Sequence, residues 1–104
     1  HRYNELLCRS DIQTPTEASY AYHVYHQYTI RTSRRDALKR LLLKNGIETS
    51  IYYPHPLHLQ EAYFSLDRLR GTYSEAEKAS GEVLSLPIFP EMSLRNQAEI
   101  SSLV

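Results

Sequence analysis

The chain has 104 residues, enough for one domain with one modest hydrophobic core. Its 12 Lys+Arg balance its 12 Asp+Glu, so there is no global basic field to gather nucleic acid or anionic lipid. No apolar run approaches the ~18 residues of a membrane span, the start HRYNELL lacks a signal-peptide plan, and a lone cysteine, Cys8, excludes an internal disulfide framework and suits a reducing compartment.

Taken in chain order, HRYNELLCR (1–9) reads as the tail of a helix with Leu6 and Leu7 on its apolar side. The polar, proline-containing stretch that follows reads as a connector with a short strand around Ile12. YAYHVYHQYTIRT (20–32) is loaded with aromatic and β-branched residues and is expected to be a strand. Period two puts Val24, His26, Tyr28 and Ile30 on one face, with His23, Tyr25, Gln27, Thr29 and Arg31 on the other. SRRDALKRLLLKNG (33–46) is the clearest helix. Ser33 and Asp36 form a capping box, and Ala37, Leu38, Leu41 and Leu42 make one apolar stripe. Arg34, Arg35, Lys39, Arg40 and Lys44 take the wet side, and Gly46 stops the helix.

IETSIYY (47–53) alternates as a second strand, with Ile47, Thr49, Ile51 and Tyr53 on one face. Further on, Thr72 and Glu75 form another capping box, and Ala76, Ala79 and Val83 lie along one helical stripe. LSLPIFP (84–90) reads as a brief extended piece, and SLRNQAEISSLV (93–104) as a last helix capped by Ser93. Strand, amphipathic helix, strand implies an α+β fold, a small antiparallel or mixed sheet covered by helices on one side. A start without Met and an end inside an expected helix suggest a piece of a longer protein.

The chemistry concentrates in SIYYPHPLHLQEAY (50–63), where tyrosines, prolines and histidines crowd together. His55 and His58 could converge on a metal, but zinc asks for about three or four protein ligands and only Glu61 lies near. His23 and His26 would point to opposite faces of a strand. Tyrosine-rich strands can stack bases, yet the basic residues cluster on a helix and the net charge is zero. Cys8, beside Leu7, reads as packed rather than reactive. The loop is either a rigid turn closing the core or, stiffened by Pro54 and Pro56, a preorganised wall of a ligand site.

Three blocks in order then carry a resemblance: HVYHQYTIR, RRDALKRLLLKNGIETSIYYPHPLHLQEAY and GTYSEAEKASGEVLSLPIFPEMS. Together they resemble the C-terminal region of the DegT/DnrJ/StrS sugar aminotransferases, from about His23 to the end. The resemblance implies the small C-terminal domain of a fold type I, aspartate-aminotransferase-like enzyme, with residues 1–19 as the tail of a connecting helix and linker and 20–104 as the domain. It implies a parent using pyridoxal 5′-phosphate (PLP) to pass an amino group from glutamate or glutamine to a nucleotide-linked keto-sugar. That parent is expected to be a cytoplasmic homodimer, without nucleic acid or membrane as partner.

The family's Schiff-base lysine motif is absent; Lys39, Lys44 and Lys78 all fall on expected helices. The fragment alone is therefore expected to hold no cofactor and not to transaminate. Its contribution would be substrate binding by the loop: His58, matching the His of the family's PLH, and Tyr53, matching the Tyr before the first proline, with Tyr52 and His55 beside them. Tyr52 stands where the family often has His, and a phenol with a pKa near ~10 is a poorer proton carrier. His23 and Tyr25 also match. The alternative is a stand-alone ligand-binding or interaction module without catalysis.

Overall fold

Two short antiparallel strands, β1 (Tyr28–Arg31) and β2 (Val83–Leu86), form the centre of the fold. Their register pairs Tyr28 with Leu86, Thr29 with Ser85, Ile30 with Leu84 and Arg31 with Val83. The structure is a computed structural model that describes residues 2–8, 11–66 and 71–104. Around the strands run α1 (Arg2–Leu7), α2 (Arg35–Lys44), α3 (Ser74–Glu82) and α4 (Leu94–Leu103). Two 3₁₀ turns, Leu57–Leu59 and Glu61–Leu66, lie between α2 and α3.

The core joins strands and helices. Tyr28, Ile30, Leu84 and Leu86 come from the strands, Leu38 and Leu42 from α2, Tyr3 and Leu7 from α1, and Ile100 from α4, with Met92 beside them. Thr29 and Ser85 join the strands again through their hydroxyls at 2.8 Å. At the strand ends, Arg31 Nε lies 2.6 Å from the Glu82 carboxylate. The result is the α+β arrangement expected, with a sheet of two antiparallel strands.

Several local expectations fail, each for a physical reason. The long strand over 20–32 shrinks to Tyr28–Arg31. Tyr25 has φ +48, a left-handed conformation that ends the period-two alternation. A local bond, Tyr25 N–H to His23 Nδ1 at 2.9 Å, and a ring stack at 4.2 Å hold that turn. Tyr20, Tyr22 and Val24 therefore stay exposed rather than taking a sheet face.

The strand over 47–53 reduces to one bridge, Ser50 with Ser85, made by two backbone bonds of 3.1 and 2.8 Å. Ile47 and Ile51 pack against the core as the alternation required, but Tyr53 is exposed. The strand expected around Ile12 is likewise a single bridge, Gln13 with Arg31.

Helix starts also differ. Ser33 does not cap α2; Thr32 Oγ1 accepts the Arg34 N–H instead, at 3.2 Å. Asp36 lies against Arg35 Nε at 2.6 Å rather than reaching back to a cap. Arg35 leaves the wet side, and one of its guanidinium nitrogens donates to the Ser80 carbonyl at 3.1 Å. Of the α2 stripe, Leu38 and Leu42 are buried while Ala37 and Leu41 are exposed. Thr72 does not cap α3, which starts one residue after Tyr73 and buries none of its residues; Val83 leaves the helix for β2. Cys8 is exposed, because Tyr3 and Leu7, one turn apart, take the inward face of α1.

Two signals hold in detail. Ser93 Oγ accepts the Asn96 N–H at 3.1 Å as the N-cap of α4. Gly46, at φ +76, ends α2 in a Schellman motif, with Gly46 N–H on the Leu43 carbonyl and Ile47 N–H on that of Leu42.

Candidate functional site

Residues 50–63 leave the sheet at Ser50 and turn at the prolines. Pro56, with φ −60 and ψ 145, leads into the 3₁₀ turn Leu57–Leu59. Its carbonyl accepts the Leu59 N–H at 3.0 Å, and that of Leu57 accepts the Gln60 N–H at 3.1 Å. Proline fixes the entry angle, so the turn loses little further freedom on folding.

This turn sorts the four candidate residues into two kinds. Tyr52, Tyr53 and His55 are exposed, Tyr53 at 73% and Tyr52 at 54%. His58 points inward, with its side chain 7% exposed. Its Nε2 lies 2.9 Å from Glu77 Oε1 on α3, and the Tyr73 ring meets it edge-on at 4.9 Å. The same Glu77 oxygen accepts the Gly71 N–H at 2.5 Å.

Glu77 was invisible as a partner in the sequence. In the structure it is one of two acids in the first turn of α3, where the helix dipole favours them. The one available signal is that a histidine in a proline-stiffened turn, once buried, needs a polar partner.

Beside the loop lies a cavity of about 220 Å³. Among its lining residues are His26 from just before β1, Glu48, Thr49 and Tyr52 from the segment that enters the loop, and Ser85 and Phe89 from β2 and beyond. Thr49 Oγ1 is buried there without a hydrogen-bond partner. Among the candidates, Tyr52 is the residue that the structure brings to this cavity.

His23 and Tyr25 lie in a ring ladder that runs into the core. Tyr25 stacks on Tyr28 at 6.1 Å, and Tyr28 meets Tyr3 at 4.8 Å. The Tyr28 hydroxyl bonds Asn4 Oδ1, and the Tyr3 hydroxyl donates to the Pro87 carbonyl at 3.0 Å. Burial pushes the phenols of Tyr3 and Tyr28 up to about 12. Among the described residues no group of three or more His, Cys, Asp or Glu is placed to hold a metal ion.

Residues 1–104 match the DegT/DnrJ/EryC1/StrS aminotransferase family. The chain is 51% identical over 86 residues to the pleiotropic regulatory protein of Geobacillus stearothermophilus, covering 83% of this chain and 23% of that protein. It is 37% identical over 102 residues to the UDP-N-acetyl-3-dehydro-alpha-D-glucosamine 3-aminotransferase of Acidithiobacillus ferrooxidans, covering 98% of this chain and 27% of that one. Its fold matches the crystal structure of S. venezuelae DesV with a TM-score of 0.92 at 34% identity, over 98% of this chain and 28% of that chain. The chain thus spans about a quarter of the length of the curated relatives it matches.

Proposed function

Because the chain belongs to the DegT/DnrJ/EryC1/StrS aminotransferase family, we propose that it is the small C-terminal domain of a PLP-dependent sugar aminotransferase. Residues 20–104 form the domain in this reading, and residues 1–19 the end of a connecting helix and its linker. The parent moves an amino group from glutamate or glutamine to a nucleotide-linked keto-sugar, and works as a cytoplasmic homodimer. The observation that carries the reading is a family match over the whole chain, joined to 37% identity with an enzyme named for amination of a UDP-sugar.

The residues present do not fit the cofactor. PLP chemistry needs a lysine amine beside the cofactor's aldehyde. Here Lys39 and Lys44 lie on α2 and Lys78 on α3, and none lines the cavity beside the loop. No chemical step is therefore assigned to this chain. Its work is to bind and orient. Tyr53, Tyr52 and His55 stand out from the stiffened loop as hydrogen-bonding groups for sugar hydroxyls, with His58 contributing through the small edge of its ring that stays open.

The test uses the full-length gene product. Incubated with glutamate or glutamine and a nucleotide keto-sugar, it should yield the aminated sugar and the matching 2-oxo acid in equal amounts by mass spectrometry. Absence of both products with either donor, across UDP- and dTDP-linked keto-sugars, would sink the reading. A full-length product without a cofactor-binding lysine would favour a binding module instead.

A further inference from the structure

Glu77 sits on a helix of which no residue is fully buried, yet its side chain is only 16% exposed. Its Oε1 takes two bonds, one at 2.9 Å from His58 Nε2 and one from the Gly71 N–H. An ionised carboxylate can only accept, so Nε2 must carry the proton. Of the two tautomers open to a neutral imidazole, this contact selects Nε2–H, with Nδ1 as the lone-pair nitrogen. Tyr73, edge-on to the ring, limits its rotation. The two loops are otherwise far apart in sequence, and this one oxygen joins them: His58 lies in the turn Leu57–Leu59, and Gly71 just ahead of α3.

We propose that Glu77 is a positioning residue for the substrate loop. It pins the Leu57–Leu59 turn to the start of α3 and fixes the tautomer of His58, so that Tyr53, Tyr52 and His55 are presented from a single backbone shape. The proposal rests on the reading of this loop as a sugar-binding wall. The contact itself is independent of that reading.

The Gly71 N–H makes the test discriminating. In Glu77→Gln the amide oxygen must stay on that N–H, so it still accepts from Nε2–H. Glu77→Ala removes the acceptor altogether. In the full-length enzyme, ¹⁵N labelling of histidine reads the ring tautomer of His58, identified by the signal lost in His58→Gln. Steady-state kinetics reads KM for the nucleotide sugar apart from kcat.

Glu77→Ala should mix the tautomers and raise KM about tenfold while kcat stays within about twofold. Glu77→Gln should keep the tautomer and a KM within about threefold of the parent value. An unchanged tautomer in Glu77→Ala, or Glu77→Gln as damaging as Glu77→Ala, overturns the proposal. Should Glu77→Ala not fold, Glu77→Asp takes its place, since it keeps the charge but draws the oxygen back by one methylene. The same rise in KM is then expected, and parent-like KM and tautomer overturn the proposal. A parent without aminotransferase activity would remove the reading of the loop, while the ¹⁵N spectrum would still decide whether Glu77 sets the ring.

Discussion

At the scale of single residues, exposure separates two kinds of candidate in the loop. Tyr53 is 73% exposed, so its hydroxyl supports nothing inside the fold and is free to meet a ligand. In the proposed sugar aminotransferase, Tyr53→Phe should leave the unfolding midpoint in place and raise KM for the nucleotide sugar about three- to tenfold, the range of one lost neutral hydrogen bond. His58 should behave in the opposite way. Its removal takes one donor from the Glu77 carboxylate, in a site where both side chains are largely buried, and leaves a gap under the turn. His58→Ala should cost about 2–3 kcal/mol, read from a denaturant midpoint. If turnover and KM are then unchanged, His58 serves the fold alone.

At the scale of elements, the termini of two helices carry testable weight. Gly46 has φ +76, and a Cβ placed there would meet nothing within 4 Å. The cost of Gly46→Ala is therefore conformational rather than steric, about 1 kcal/mol. Ser93→Ala should cost a similar amount, about 1 kcal/mol, because Asn96 N–H loses its acceptor. Both are read as shifts in urea midpoint, and a midpoint unmoved by either would mean that its helix end is held by packing instead. These signals were legible because they are local: a glycine after the last turn and a serine before the first are read within a few residues. The strand over 20–32 was misread because β-propensity describes a residue's fit to a pleated surface, not the presence of a partner strand. Tyr20 and Tyr22 have no such partner in the sheet, whose pairing starts at Tyr28. The capping boxes expected at Ser33 and Thr72 failed too, since Arg34 and Tyr73 stand as the N-caps of α2 and α3. In the loop, the proline spacing marked only a stiff turn; Tyr53, Tyr52, His55 and His58 were named through the family resemblance. The His58–Glu77 contact was not legible, because it spans 19 residues and depends on how α3 lies against the turn.

At the scale of the whole molecule, one core ties the first helix to the last. Tyr3 and Leu7 carry the proposed connecting helix into it, and Tyr3 reaches Pro87 and Met92 while Tyr28 reaches back to Asn4. Two tyrosines thus lock α1, β1 and the segment after β2 together, and both are nearly inaccessible, at 3% and 1% exposure. Burial moves each phenol from 10.0 to about 12. Because the folded value lies above the unfolded one, the native state keeps these protons at a pH where the unfolded chain has released them. Their contribution is complete below pH 10 and is lost as pH rises toward 12. Each should steepen the fall in stability by at most about 1.4 kcal/mol per pH unit across that window. Tyr28→Phe removes one of the two groups. It should lower stability at neutral pH by about 1 kcal/mol, since Asn4 Oδ1 loses the tyrosine donor. It should also roughly halve the alkaline slope that Tyr3 and Tyr28 together produce. Urea midpoints followed by circular dichroism from pH 9 upward (about one reading per half unit) separate the two effects. An alkaline slope identical in the parent and in Tyr28→Phe would mean that the fold opens around these rings before they titrate, and that α1 is held to the sheet by Leu7 rather than by the tyrosines.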